Sequence, residues 1–293
     1  MSITIAGLGR KIEGAKDLRS VVRTMKAVSA SNLGQYEDSV RGLGEYYHSI
    51  ELGLGVCLRN KTLEKTYQET NPTSGTFLVL VFGSDQGMVG QFNTSLGEFT
   101  QTTLADLGIT SQVWTLGERM YEQLVGTNLS LAGNFKVPTS IKAIGSLVGE
   151  ILLLREKQFD HNRIEGLYLI YNRPKTQEIY EPIAQRLLPL DHHWFQNLRD
   201  LPWPSTIHSE VVGNDTQTLS ALIDEYLFIS LFRACAESLA SENASRLAAM
   251  ERADQNIDDL LKDLNRTFHR LRKEGIDAEL FDVIAGFDLL QSS

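Results

Sequence analysis

The 293-residue sequence predicts an α/β protein in which long N- and C-terminal helices pair as an antiparallel coiled coil, with a small α/β domain inserted between them. Three observations carry this prediction. All seven prolines, Pro72, Pro138, Pro174, Pro182, Pro189, Pro202 and Pro204, fall between residues 72 and 204. A proline inside a helix removes a hydrogen bond and costs about 3 kcal/mol, so the two proline-free ends are permitted to be long helices. Toward the C-terminus, Met250, Ala253, Ile257, Leu260, Leu264, Thr267 and Leu271 recur at alternating steps of three and four, the spacing of a coiled-coil seam. Between the ends, short β-rich runs alternate with segments of helical period, as in a sheet covered by helices. The boundaries read as residues 1–70, 71–208 and 209–293.

The first helix carries an apolar stripe, Leu8, Ile12, Ala15, Leu18, Val22 and Met25, which supplies the other half of the seam. Glycines at 14, 34, 42, 44, 53 and 55 each cost about 1 kcal/mol relative to alanine, so bends or frayed turns are expected after Asn32. In the middle, "TFLVLVFG", "SQVWTLG" and "GLYLIYNRP" read as strands closed by turn residues. "FNTSLGEFTQTTLADLG" and "SIKAIGSLVGEILLLREKQ" read as helices. Pro182 through Pro204 reads as irregular, leading into an edge strand around "STIHSEVV". A last helix from Thr218 to Leu290 would be about 100 Å long, beyond the reach of one compact domain.

Composition narrows the function classes. The net charge of −9 and pI near 5.2 argue against a nucleic-acid protein, whose footprint would be basic. The most apolar windows, "LVLVF" and "YLFISLF", fall far short of the roughly 18 residues of a membrane span, and residues 1–9 lack a secretory pattern. A chain without direct membrane insertion is expected. Cys57 and Cys235 have no metal-ligand spacing and read as buried thiols in a reducing cytosol.

The stretch "LVLVFGSDQGMVGQFN", residues 78–93, has the outline of strand, phosphate loop and helix. Its glycines, Gly83, Gly87 and Gly90, are spaced by four and three, and no lysine follows. This matches neither a Walker loop nor a dinucleotide loop. His192 and His193 lie together, but neighbours in an extended segment point to opposite faces, and no cysteine or carboxylate set accompanies them. Asp254, Asp258 and Asp259 read as a solvated helix face rather than acid–base chemistry. No catalytic residue, cofactor or metal site is expected.

Charge is unevenly distributed. Residues 1–30 carry six basic and two acidic groups, and Arg19, Arg23 and Lys26 share one helical face. Residues 262–273 add five basic groups against one acidic. Basic stripes on both long helices of an acidic chain suggest acidic surroundings.

Three motifs carry a resemblance to a known family. "VRTMKAVSASNL" (22–33), "GSDQGMVGQFN" (83–93) and "ESLASENASRLAAMERADQNIDDLLKDLNRTFHRLRKEGIDAELFDVIAG" (237–286) resemble the N-terminal signature, the glycine loop and the C-terminal helix of the γ subunit of F-type ATP synthases. The match is closest in the last helix and thinnest in the middle. Met88-Val89 stand where the family usually has Leu-Cys, Gln86 where it has Arg, and Lys273 and Asp277 where Gln and Thr are common. The resemblance implies a non-catalytic rotor shaft within a ring of alternating α and β subunits. It implies a foot docked to the ε subunit and the membrane c-ring, on the cytoplasmic side of a membrane. It implies a sheet that is Rossmann-like without nucleotide chemistry, in which Gly87 and Gly90 serve unusual backbone angles or close packing. The contacts with partners would fall on Arg19, Arg23, Met25, Lys26, Glu242, Arg246, Arg272, Lys273 and Asp277. A second reading is a freestanding α/β nucleotide- or phosphate-binding enzyme that dimerises through its terminal helices, with the glycine loop as its best support.

Overall fold

The computed structural model describes residues 4–59, 75–160, 164–176, 179–190, 192–206 and 209–291. Its elements in chain order are α1 (Ile5–Leu58), β1 (Thr76–Phe82), α2 (Phe92–Leu107), β2 (Thr110–Leu116), α3 (Glu118–Leu124), β3 (Leu131–Phe135), α4 (Ile141–Asp160), β4 (Gly166–Pro174), β5 (Tyr180–Leu188), α5 (His192–Arg199) and α6 (Asp215–Gln291). The chain divides into two compact units, Ala30–Arg246 and Met1–Ser29 with Leu247–Ser293. Both long helices contribute to both units.

The larger unit is built on a five-stranded sheet of order β3-β2-β1-β4-β5, parallel except for the antiparallel β4–β5 pair. β1 is central, and six of its seven residues are buried, which is why it reads as a continuous apolar run rather than an alternation. Its two faces still sort by the period of two. Leu78, Leu80 and Phe82 join the cluster containing Leu54 of α1, Ile144 and Ile151 of α4 and Leu231 of α6. Val79 and Val81 join Leu96 and Leu104 of α2 and Met120 and Leu124 of α3.

The three strands and two helices read from sequence are present as β1, β2, β4, α2 and α4. Several expectations fail for identifiable reasons. β3, Leu131–Phe135, is a five-residue strand of sequence LAGNF. It lacks β-branched residues, and its Gly133 is there because a Cβ would stand 2.4 Å from the Trp114 ring. The segment from Pro182, expected to be irregular, begins inside β5, with Pro182 opposite Asn172. Proline lacks an N–H to donate and is tolerated there because β5 is the sheet edge. The histidines lie at the start of helix α5, not in an extended segment. No strand forms at residues 205–206 or 209–212, although the alternation there is real. Val212 is 94% exposed, and β-pattern without a partner strand does not make a strand.

The frayed turns expected after Asn32 do not form, and α1 runs as one helix of 54 residues. Tyr36, Ile50, Leu54 and Leu58, with Val40, Leu43 and Tyr47 between them, pack against the core at helical spacing. Tertiary burial thus outweighs the glycine penalties. One glycine is required: a Cβ on Gly55 would lie 2.4 Å from the Leu198 carbonyl oxygen of α5.

In the smaller unit, Ile12, Ala15 and Val22, with Met25 partly buried, pack against Met250, Ile257 and Leu261, with Ala253, Leu264 and Phe268 beside them. Leu261, not Leu260, is the seam residue; Leu260 is 50% exposed. Met250, Ile257 and Leu264 recur every seven residues, and Leu261 and Phe268 follow Ile257 and Leu264 by four residues rather than three. The seven-residue repeat is kept, and only its second apolar position moves from the three-step to the four-step side of the Met250–Ile257–Leu264 row. On α1 the inward residues Leu8, Ile12, Ala15 and Val22 keep steps of four and three that pass through position 19, which leaves Leu18 at 53% exposure and brings the Arg19 stem, 30% exposed, toward the seam.

Candidate functional site

The glycine loop after β1 is closed by its own polar groups. Ser84 donates its N–H to Asn93 Oδ1 (3.1 Å) and its hydroxyl to the Gln86 carbonyl (2.9 Å), and Asn93 Nδ2 donates back to Ser84 Oγ (2.8 Å). The Asp85 carboxylate accepts the backbone N–H of Glu118, the first residue of α3, through Oδ1, and that of Val137 through Oδ2, each at 3.0 Å. One side chain thereby satisfies a helix start and fixes the chain leaving β3. The close approaches belong to Gly83 and Gly117. A Cβ on Gly83 would lie 2.2 Å from Met120 Cβ, and one on Gly117 would lie 2.5 Å from the Ser84 carbonyl carbon. Gly90 has φ 60°, and Met88, two residues before it, has φ 61° with no glycine to relieve it. Gly87 has open space and no left-handed φ, so its expected role is corrected to Gly83, Gly90 and Gly117.

The strand order changes direction between β1 and β4, and in open α/β sheets the crevice at the carboxyl ends of such strands takes the ligand. Here α6 enters that crevice. Ser238 Oγ donates to the carbonyl of Phe82, the last residue of β1 (3.0 Å). Tyr171 of β4 donates its phenol to Glu237 Oε2 (3.0 Å), and Arg233 Nε donates to the other carboxylate oxygen (2.7 Å). Further along α6, Ser245 Oγ donates to the Val89 carbonyl at 2.6 Å, and Arg246 reaches the Gln86 carbonyl at 3.4 Å. Ser238 and Ser245 are seven residues apart, hence on one face. The run of small residues lets α6 approach: Ala234, Ala236, Ala240 and Ser241 are all buried.

Glu242 and Arg246 form an ion pair at 2.6 Å, 6% and 9% exposed, not a surface pair. Burial pushes the Glu242 carboxyl up, Arg246 opposes that shift, and the charge of Asp85 adds to it. Tyr171 is pushed up as well, by burial and by Glu237. Cys57 and Cys235 are buried, and burial raises both thiols.

In the smaller unit the basic stripe has partners on the same chain. Arg19 meets Asp254 at 3.4 Å and Asp258 at 2.8 Å, Arg23 meets Asp254 at 3.3 Å, and Lys26 meets Glu251 at 3.1 Å. Two of the three aspartates read as a solvated face are therefore counter-ions, and Lys262 pairs with Asp259 rather than with Asp258. Lys16, Arg19, Ser20, Arg23, Thr24 and Ala27 line an open groove along α1. Arg272, Lys273 and Asp277 are exposed on α6. The nine residues singled out from sequence thus fall into three places: Glu242 and Arg246 at the loop, Arg19, Arg23, Met25 and Lys26 in the coil, and Arg272, Lys273 and Asp277 on the exposed C-terminal part of α6.

Sequence reasoning missed Ser238, Ser245 and the Tyr171–Glu237–Arg233 group. Its available signal was two serines a heptad apart inside a run of small residues. No group of three His, Cys, Asp or Glu suited to a metal occurs among the described residues, and none of their helices is long and apolar enough to cross a membrane.

Residues 4–290 match a family model described as ATP synthase. The ATP synthase gamma chain of Wolbachia sp. subsp. Drosophila simulans (strain wRi) is 27% identical over 293 residues, covering 97% of this chain and 98% of its own length. That of Clostridium botulinum (strain Hall) is 25% identical over 291 residues, 96% of each chain. Among solved structures, a chain of the Euglena gracilis mitochondrial ATP synthase, in an assembly of OSCP, F1 and c-ring, superposes with a TM-score of 0.63 at 19% identity, covering 98% of this chain and 95% of its own. A chain of the Tetrahymena thermophila central stalk and c-ring gives 0.57 at 21% identity, covering 80% and 99%. At these identities the superpositions show the fold.

Proposed function

This chain belongs to the ATP synthase gamma-chain family, and from that premise we propose how its parts divide the work of a rotor. It is the non-catalytic central stalk of an F-type ATP synthase. It couples ion flow through the membrane ring to ATP synthesis or hydrolysis in the catalytic ring. Its partners are the α and β subunits, the ε subunit and the c-ring, and it is peripheral to the membrane through that complex. We place it on the cytoplasmic side.

One observation carries the division of work: α6 occupies the switch-point crevice of the sheet, held by Ser238, Glu237 and Ser245 on β1, β4 and the glycine loop. A torque applied to the sheet passes into α6 at two backbone carbonyls, those of Phe82 and Val89, and at the buried Tyr171 phenol. The catalytic ring reads the rotor angle as differential affinity at its sites, so binding energy and rotation exchange through one linkage. We propose that the ring is met by the exposed Arg272, Lys273 and Asp277, and by the basic stripe of Arg19, Arg23 and Lys26 where its own counter-ions leave it open. Glu242 and Arg246 act inside the joint.

The enzyme reading loses its best support. The glycine loop donates and accepts within itself and accepts from α6, and α6 takes the place of the ligand. In the test, Ser238→Ala and Ser245→Ala are combined in the assembled complex, and ions pumped per ATP hydrolysed are compared with wild type. Lower coupling with assembly intact is expected. Unchanged coupling would remove the joint from the torque path, and saturable binding of ATP, ADP or NAD by the purified chain would revive the enzyme.

A further inference from the structure

Beside the joint lies a cleft of about 430 Å³ that the rotor reading does not use, lined by Tyr47 of α1, Tyr171 and Arg173 of β4, Ile183, Ala184 and Gln185 of β5, and Ser230, Arg233 and Glu237 of α6. Its volume falls in the range of small-molecule sites, roughly 300 to 1,000 Å³. We propose that this cleft binds a small oxyanion, of phosphate or carboxylate chemistry, between Arg173 and Arg233.

The cleft presents a surplus of hydrogen-bond donors. Both oxygens of the buried Glu237 are engaged, Oε1 by Arg233 Nε and Oε2 by the Tyr171 hydroxyl. Glu181, which reaches Arg173, is shared with Lys175. Each guanidinium carries five N–H donors in a fork that matches two oxygens. These contacts engage one nitrogen of Arg233 and one of Arg173. Both guanidiniums act on the same centre, since each draws the Tyr171 phenol down against the burial and the Glu237 charge that raise it. Ser230 Oγ, buried in the wall, has only a longer contact, with the Tyr226 hydroxyl. The Tyr47 ring centroid lies 5.7 Å from the Arg233 guanidinium carbon, within reach of a cation–π contact. Glu51, one turn from Tyr47, is near His48 and balances part of the positive field, so the hydrogen-bond donors rather than net charge select the ligand. An occupant would bridge β4 and α6 at the joint and stiffen it.

The test is calorimetry of the full chain with sodium phosphate and, separately, sodium succinate, at constant ionic strength. One saturable site is expected for one of them, and which one saturates assigns phosphate or carboxylate. Arg173→Gln and Arg233→Gln should each weaken binding about tenfold or more, the worth of one charge-assisted bond. Gln185→Glu keeps every native pair while adding a repelling carboxylate to the wall. It should weaken binding without lowering the melting temperature, which covers the case that Arg233→Gln does not fold. Heat that never saturates with either anion, or binding undiminished by Gln185→Glu and Arg173→Gln, would overturn the proposal.

Discussion

Met88 and Glu242 show how single residues are strained or shifted by the joint they belong to. Met88 holds φ 61° with its side chain 61% exposed. A left-handed conformation costs an L residue about 1 to 2 kcal/mol, so Met88→Gly should be stability-neutral or stabilising by up to about 1 kcal/mol, read from urea unfolding. Gly83→Val should be severe, because its Cβ would overlap Met120. Glu242 gives a pH signature. Its folded-state value lies above the ordinary 4.5, so the folded chain holds its proton more tightly than the unfolded chain. Stability associated with this group therefore falls as pH rises from 4.5 through the folded value, and is regained on acidification. Glu51 shifts the same way, so the measurement is the difference between wild type and Glu242→Gln across that window. A difference independent of pH would reject the assignment. Arg246→Ala should cost about 3 to 5 kcal/mol by leaving a buried carboxylate unpaired.

Elements are decided by the faces they bury. In the coil, Leu261→Ala should cost about 2 to 5 kcal/mol, while Leu260→Ala, at an exposed position, should change stability by about 0.5 kcal/mol or less. Equal losses at both positions would return Leu260 to the seam. Along α1, a Cβ added to Gly42 or Gly44 would meet nothing within 4 Å, whereas one on Gly55 meets the Leu198 carbonyl. Alanine at 42 or 44 should then stabilise by up to about 1 kcal/mol, and alanine at 55 should destabilise, as thermal melts would show. Glycines that look alike in sequence differ only in what stands opposite them.

At the scale of the whole molecule, the basic stripe serves two masters, the chain and its proposed partners. Each exposed pair is worth about 0 to 1 kcal/mol, so reversing Arg19, Arg23 and Lys26 to glutamate should weaken the coil by at most a few kcal/mol, more at low salt than at high. Adding Asp254→Lys, Asp258→Lys and Glu251→Lys restores opposite charges across the coil and should recover its melting temperature. If the stripe also guides the ring, pumping per ATP hydrolysed stays low in this charge-swapped rotor. If coupling recovers with stability, the stripe is an internal clamp and shape alone transmits torque.

The sequence by itself determined the long terminal helices, the central strands β1, β2 and β4, and the rotor family, because proline placement, periodicity and the C-terminal motif are local properties of the chain. It also showed that the glycine loop lacks phosphate-binding spacing. Only the tertiary structure decided which leucine faces the seam, since positions three and four residues after Ile257 flank the same helical row and both are leucine. Only it revealed β3 and β5, whose weak or proline-bearing strands exist because a neighbouring strand accepts them. The same holds for the joint. Ser238, Ser245 and Tyr171–Glu237 lie 66 to 156 positions from their partners, and a hydrogen bond across that separation leaves no periodic trace in the chain.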